Sequence, residues 1–330
     1  AALRDSMETE MNTLKRMMVA LLALLPLATG MAFADDDRGY SRIFIFGASF
    51  MDSGNHFALT GETAHPPFVL LGPSYGIGGH HFSNGRVWVE VLAQDMKLTK
   101  WAKPAWRNPT FGNYAVGYGR AREFKWDPLP SLEDQVDAWA DVNGYCTGDP
   151  DNPMYDTLFI VDSAYFDFLD FVYGGQDPFV VLDEMTTAIQ AAIERLRNCG
   201  AYNVLFAFIP PLESAPLPPP PTAQATQSAS LSAYYNYMLL QPRIVDHFST
   251  GPDKINITTV DLFWLVGAML NQPEAFGLTN VTDSCITFGV IEGAICKNRD
   301  EYLFWDPLHP TKNVHAMIAE AALAALPPLD

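Results

Sequence analysis

The chemistry this chain can perform rests on a serine near its start and an aspartate and a histidine near its end. Ser49 lies in Gly47-Ala48-Ser49-Phe50-Met51-Asp52-Ser53-Gly54-Asn55, directly behind the apolar run Ile43-Phe44-Ile45-Phe46. Asp306 and His309 share the turn Asp306-Pro307-Leu308-His309-Pro310-Thr311, which two prolines stiffen. A serine hydroxyl becomes a nucleophile when a base takes its proton and an anion holds that base in one tautomer. An aspartate three residues before a histidine can set its carboxylate against one imidazole nitrogen and leave the other for Ser49. Each block also has a plainer reading: Ser49 as the cap of a following helix, and His309 as a solvated side chain in a helix N-terminal turn. A competing serine, Ser74, sits in Gly72-Pro73-Ser74-Tyr75-Gly76, which matches the G-x-S-x-G elbow. That elbow works as a strand-to-helix turn. Here Pro66-Pro67 precede it and Gly76-Ile77-Gly78-Gly79 follow, so the match is read as chance.

Short apolar runs bounded by glycine or polar turns predict strands buried on both faces, as in a parallel sheet. Five such runs are found: Ile43 to Phe46, Phe111 to Val116, Thr157 to Val161, Val204 to Ile209 and Ile255 to Val260. Helical spacing predicts helices over Phe82 to Met96, from Ser131 onward, and over Val181 to Asn198, Ala223 to Phe248 and Thr311 to Leu326. Strands alternating with helices give an α/β protein whose five-stranded parallel sheet is covered on both faces, in one domain over residues 35–330. Pro210 to Thr222 holds too many prolines for a helix or interior strand and reads as a lid or rim. Residues 262–305 read as a long insertion. Ligands of such sheets gather at the carboxyl ends of the strands, which is where Ser49 falls.

The composition narrows the partners. The 330 residues carry a formal net charge of -18, which argues against nucleic acid and anionic membrane surfaces. Residues 1–34 read as a signal peptide with upstream residues: Lys15 and Arg16, then the apolar stretch Met17 to Leu27, then Ala32-Phe33-Ala34 with cleavage after Ala34. That apolar stretch is shorter than the roughly 20 residues of a membrane span. The expectation is a secreted or periplasmic protein with no stable membrane anchor. Export makes the four cysteines candidates for disulfides. Cys285 and Cys296 are the nearer pair, with Cys146 and Cys199 left as candidates for a second bridge. No Cys or His spacing resembles a zinc site, and His80-His81 reads as a surface turn; no cofactor or metal is implied.

Four blocks in order, over residues 42–325, resemble the GDSL-type lipases and acylhydrolases of the SGNH hydrolase superfamily. They are the Gly47 to Asn55 stretch, Phe82-Ser83-Asn84-Gly85-Arg86, Asn113-Tyr114-Ala115-Val116-Gly117, and Asp306-x-x-His309-Pro310. The resemblance implies a flavodoxin-like three-layer α/β/α sandwich and a Ser49–His309–Asp306 triad that cleaves carboxylic esters, in substrates ranging from small-molecule esters to lipids and acetylated sugars. It also implies an oxyanion hole built on the backbone N–H groups of Ser49 and residue 118. Three positions depart from the family pattern. Ala48 replaces the aspartate before the serine, Tyr118 stands where the oxyanion glycine belongs, and Phe166 occupies the asparagine position in Ala164-Tyr165-Phe166-Asp167. Phenylalanine has no donor, so the expected oxyanion hole is impaired. The alternative expectation is a catalytically weak or inactive member whose cleft binds acyl or glycan ligands.

Overall fold

The computed structural model describes residues 38–61, 79–124, 127–144, 146, 154–162, 166–217, 231–287 and 294–329. The expected leader, Ser74, residues 163–165 and residues 218–222 of the proline-rich segment lie outside the described residues. In chain order the first elements are β1 (Arg42–Phe46), α1 (Asn55–Thr60), α2 (Trp88–Asp95), α3 (Leu132–Asn143), β2 (Met154–Asp162), α4 (Phe168–Val172) and α5 (Pro178–Asn198). There follow β3 (Ala201–Ala207), α6 (Leu231–Tyr234), β4 (Asn256–Val260), α7 (Leu262–Asn271), β5 (Asn280–Ser284), β6 (Tyr302–Phe304) and α8 (Lys312–Ala325). All belong to one compact unit, Asp37–Asp330.

Strands β1 to β4 form a parallel sheet in sequence order. Side chains alternate across a strand, and here both sets are apolar. Phe44, Phe46, Phe159, Val161, Val204 and Phe206 pack with α3, α5 and the helix that α6 begins. Ile43, Ile45, Leu158, Ile160, Leu205 and Ala207 pack with α2, α7 and α8. The result is three layers, helices on sheet on helices.

One expected strand is altered. Residues 111–116 run parallel to β1, held by Ile45 N–H to Gly112 O (2.9 Å), Tyr114 N–H to Ile45 O (2.8 Å) and Val116 N–H to Gly47 O (3.0 Å), yet only one bridge, Ile45 with Asn113, is regular. The regular sheet therefore has four strands rather than five. The ladder breaks where Gly47 N–H turns to Gln135 Oε1 (2.8 Å) and Tyr114 O accepts the Trp106 Nε1–H (3.1 Å), and the outer side of the segment is occupied too. Asn55 Nδ2 donates to the carbonyls of Asn113 (2.7 Å) and Ala115 (2.8 Å), while Ala105 N–H also reaches Asn113 O (2.7 Å). Side chain and loop take the positions that a further strand would fill. Placed beside β1, the segment makes the spatial order 2-1-3-4-5, the flavodoxin-like order whose switch point carries ligands.

Other boundaries shift as well. The helix expected from Phe82 begins at Trp88, because Phe82 to Val87 forms a bent loop. The strand expected to reach Ile209 ends at Ala207. Helix α6 widens into a π-helix over Tyr235–Asp246 that contains Pro242, a residue lacking the N–H that a regular rung requires. The expected insertion holds α7 and a two-stranded parallel sheet of β5 and β6. Both cysteine pairs form bridges, Cys146–Cys199 and Cys285–Cys296. His81 is buried rather than on a surface turn. Its Nε2 lies 2.7 Å from Glu90 Oε2, a carboxylate that also accepts Val87 N–H at the start of α2. His80 takes a left-handed backbone and stacks on Phe57 at 3.6 Å.

Beneath residues 120–124 lies a charged cluster. Arg120 bonds Asp170 (2.9 and 3.1 Å) and Asp127, and Arg122 bonds Asp167 (2.7 Å), Asp170 (2.7 Å) and Glu184 (2.6 Å). Burial pushes the Asp167 carboxyl up to about 6 from an ordinary 3.8, against the pull of Arg122 and the Ala121 N–H.

Two outcomes follow from these contacts. Asn55→Ala removes the Asn55 donor to Ala115 O and the acceptor of Trp106 N–H, and should cost about 2–4 kcal/mol in urea unfolding, with the denaturant slope unchanged. For Asp167, the folded state holds its proton more tightly than the unfolded chain does. Its contribution to stability is therefore fully present below about pH 4 and lost as pH rises through about 6. The stability of wild type relative to Asp167→Asn should accordingly fall between pH 4 and pH 7, by about 3 kcal/mol at most.

Candidate active site

Strand β1 ends at Gly47, and the turn behind it carries Ser49. Gly47 has φ 150°, and a Cβ there would lie 2.2 Å from Asp162 Oδ1 and 2.7 Å from Met51 Cε, so only glycine fits. The turn is fixed on every side. Gly47 N–H donates to Gln135 Oε1 (2.8 Å), and Gln135 Nε2 donates back to Gly47 O (3.0 Å). Ala48 N–H donates to Asp162 Oδ2 (3.3 Å) at the end of β2.

Asp52 ties this turn to its neighbours. Its Oδ1 accepts from the N–H groups of Gly54 (2.7 Å) and Asn55 (2.6 Å), and its Oδ2 from His56 (2.9 Å) and Gly117 (2.7 Å). Burial lifts the Asp52 carboxyl above its ordinary value, while these four N–H groups pull it back down.

Ser49, Asp306 and His309 are brought together. His309 Nε2 is 2.8 Å from Ser49 Oγ, and His309 Nδ1 is 2.7 and 2.9 Å from the two Asp306 oxygens. Asp306 Oδ1 also accepts the backbone N–H groups of Leu308 (2.8 Å) and His309 (2.7 Å). Burial alone would raise the Asp306 carboxyl. The His309 ring and those two N–H groups outweigh it and hold the group below its ordinary value. An ionised Asp306 makes Nδ1 the protonated nitrogen, so Nε2 faces the serine hydroxyl as an acceptor. All three are buried, at 4 % exposure for Ser49 and His309 and 2 % for Asp306. Phe50 and Phe82 lie with ring centres 5.6 and 5.2 Å from the imidazole.

The three departures from the family pattern fall around this centre. Gly117 N–H is committed to Asp52, so Tyr118 contributes the next backbone amide along the loop. Tyr118 has φ 63°, the left-handed region that a bulky residue enters at a cost of about 1–2 kcal/mol. Its buried ring meets His56, Phe82 and Phe166 edge-on, with centres 5.1–5.2 Å apart. Phe166 in turn covers the Arg120 guanidinium at 4.8 Å, and Phe124 lies 4.7 Å from the same group. Ala48 is fully buried, and its N–H already has the Asp162 carboxylate.

Sequence reasoning passed over several residues that hold the turn. Gln135 shares the core-facing side of α3 with Leu132, Val136 and Trp139, and a polar side chain on such a face was the available signal. Asp162 carried no local signal, since Ala48 lies 114 residues away, and Asn55 and Asn113 stood in the quoted blocks without a role because the groups they tie together lie 51–62 residues apart.

The arrangement can be set beside known proteins. The profile of the GDSL-like lipase/acylhydrolase family matches residues 43–322. The chain is 24% identical over 296 residues to the thermolabile hemolysin of Vibrio parahaemolyticus, a match covering 86% of this chain and 63% of that protein. It is 22% identical over 344 residues to a GDSL esterase/lipase of Arabidopsis thaliana, covering 92% of this chain and 95% of the relative. With the phosphatidylcholine-sterol acyltransferase of Aeromonas hydrophila it shares 25% identity over 353 residues, covering 94% and 96%. The chain thus spans less than two thirds of the hemolysin's length and nearly all of the other two. With a profile match across most of its length, the chain belongs to the GDSL-like lipase/acylhydrolase family.

Proposed function

We propose that this protein is an exported serine ester hydrolase with Ser49 as nucleophile, His309 as general base and acid, and Asp306 as the group that orients His309. The observation that carries the reading is the unbroken chain of hydrogen bonds from Ser49 Oγ through the imidazole to Asp306. In the first step Ser49 Oγ attacks the acyl carbonyl while Nε2 accepts the hydroxyl proton. The tetrahedral intermediate then collapses as His309 returns that proton to the leaving alkoxide, and the acyl group stays on Ser49. Water then attacks the acyl carbonyl as the same nitrogen takes its proton, and that proton passes to Ser49 Oγ as the acid leaves. A relative named an acyltransferase fits the same scheme, since an acyl-serine can pass its acyl group to an alcohol as well as to water. The two disulfides favour an oxidising compartment, secreted or periplasmic.

The backbone N–H groups of Ser49 and Tyr118 are the proposed oxyanion donors. Phe166 offers none, and loss of one donor costs about 2.7–4 kcal/mol, or roughly 10²–10³ in turnover. The row of touching rings at Phe82, Tyr118 and Phe166 also supports a second reading. In it the protein is catalytically weak or inactive and the cleft binds acyl or glycan ligands.

Three measurements separate these readings. With 4-nitrophenyl butyrate, Ser49→Ala should lower the rate about 10³-fold or more, and equal rates for the two proteins would sink the enzyme reading. A fluorophosphonate should label Ser49 and leave Ser74 unmodified, as mapped by mass spectrometry. Phe166→Asn should raise kcat by about tenfold or more by restoring a donor, while Phe166→Leu, which opens space without one, should not. A Phe166→Asn rate equal to that of Phe166→Leu removes the impaired oxyanion hole from the account.

A further inference from the structure

The segment Phe82 to Gly85 lies against the start of α8, far from it in sequence. Ser83 Oγ donates to Pro310 O at 2.9 Å, and Asn84 Oδ1 accepts the Lys312 N–H at 2.7 Å, across 227 and 228 residues. Both side chains are buried. A Cβ at Gly85 would meet Lys312 Cβ at 2.9 Å, which shows how closely the two backbones approach. The Phe82 ring completes the contact beside the His309 imidazole.

The β6 segment holds this turn on one side, through Trp305 N–H to His309 O (2.7 Å) and Thr311 N–H to Leu303 O (3.1 Å), and the bonds from Ser83 and Asn84 hold the groups that β6 leaves over. The first N–H groups of a helix have no partner within it and need an outside acceptor. Thr311 is the N-cap of α8 but makes no side-chain cap bond, and its hydroxyl is turned toward Tyr302 O, to which it donates at 2.8 Å. Asn84 therefore caps α8 from a distant part of the chain. Pro310 has no N–H, so its carbonyl is its one backbone hydrogen-bonding group, and Ser83 holds it. The two bonds bracket the residues immediately after His309, which sets where the imidazole stands relative to Ser49.

We infer that Ser83 and Asn84 are positioning residues that clamp the Asp306–His309 turn and the start of α8 in register with the Ser49 turn. This rests on the proposed triad, and small displacements of a reacting group matter there: about 1 Å of misplacement can cost roughly 10²-fold. The clamp acts on alignment, so turnover should suffer and ester binding should not.

The test compares wild type with Ser83→Ala, Asn84→Ala and Asn84→Asp, with Ser49→Ala as reference, on 4-nitrophenyl butyrate. Ser83→Ala and Asn84→Ala should lower kcat about tenfold or more with KM within about twofold. Asn84→Asp keeps an acceptor for the Lys312 N–H and should restore most of the rate. A second readout does not depend on hydrolysis: the low-field proton resonance of the His309 Nδ1–H that faces Asp306 should shift or broaden in Asn84→Ala and return in Asn84→Asp. If Ser49→Ala matches wild type, the triad reading fails while this resonance still judges the clamp. An Asn84→Ala protein with wild-type kcat and an unchanged resonance overturns the inference. So does a loss of rate that tracks a lowered melting temperature and is not restored by Asn84→Asp.

Discussion

The Asp52 carboxylate is fully buried, and four backbone N–H groups converge on it. Three belong to the turn and helix behind Ser49, and the fourth, Gly117, belongs to the segment beside β1. A buried charge is tolerated only when hydrogen bonds replace its lost hydration. The backbone of both segments is therefore bound to one geometry for as long as Asp52 is ionised. The Ser49 turn and the loop carrying Tyr118 do not find their relative position through side-chain packing alone. They are two ends of one carboxylate's coordination, and the sheet edge, α1 and the proposed oxyanion loop all follow from it.

The chain shows how far local pattern carries a structural argument. The apolar runs before Gly47 and through Thr157 to Val161 identify buried strands, because a parallel sheet covered on both faces leaves no polar alternation. The Asp306 and His309 spacing is local too, and the turn that joins them closes as two prolines suggest it should. The segment from Phe111 to Val116 was legible as an extended neighbour of β1 but not as an irregular one. What interrupts it is Gln135, a side chain 88 residues beyond Gly47 that takes the N–H the next rung would need. His81 looked like half of a surface turn because the carboxylate that accompanies it, Glu90, becomes its neighbour only when α2 folds back. Contacts between distant segments, rather than the elements themselves, are what periodicity leaves unread.

The departures from the family pattern are not scattered. Tyr118 touches Phe166, Phe82 stands between Tyr118 and His309, and the same apolar cluster includes Trp305 and the Cys285–Cys296 bridge. A phenylalanine in the asparagine position and a tyrosine in a left-handed backbone would each be awkward alone. Together they pack edge to face, an arrangement worth about 0.5–1.5 kcal/mol per pair beyond the area buried. That is comparable to the backbone cost at Tyr118. The two residues therefore form one apolar contact beside the imidazole rather than two independent features.

Ser49 and His309 meet across 260 residues of chain. Contacts of such separation are the last to become favourable, because the entropy of closing the intervening loop must be overcome first. The ladder of β1 through β4 takes no hydrogen bond from α8, whereas the proposed base of Ser49 stands just before that helix. On the proposed roles, Ser49 gains its base only when α8 seats against α2 and brings His309 to it, so that the docking of one helix and the onset of nucleophilicity coincide.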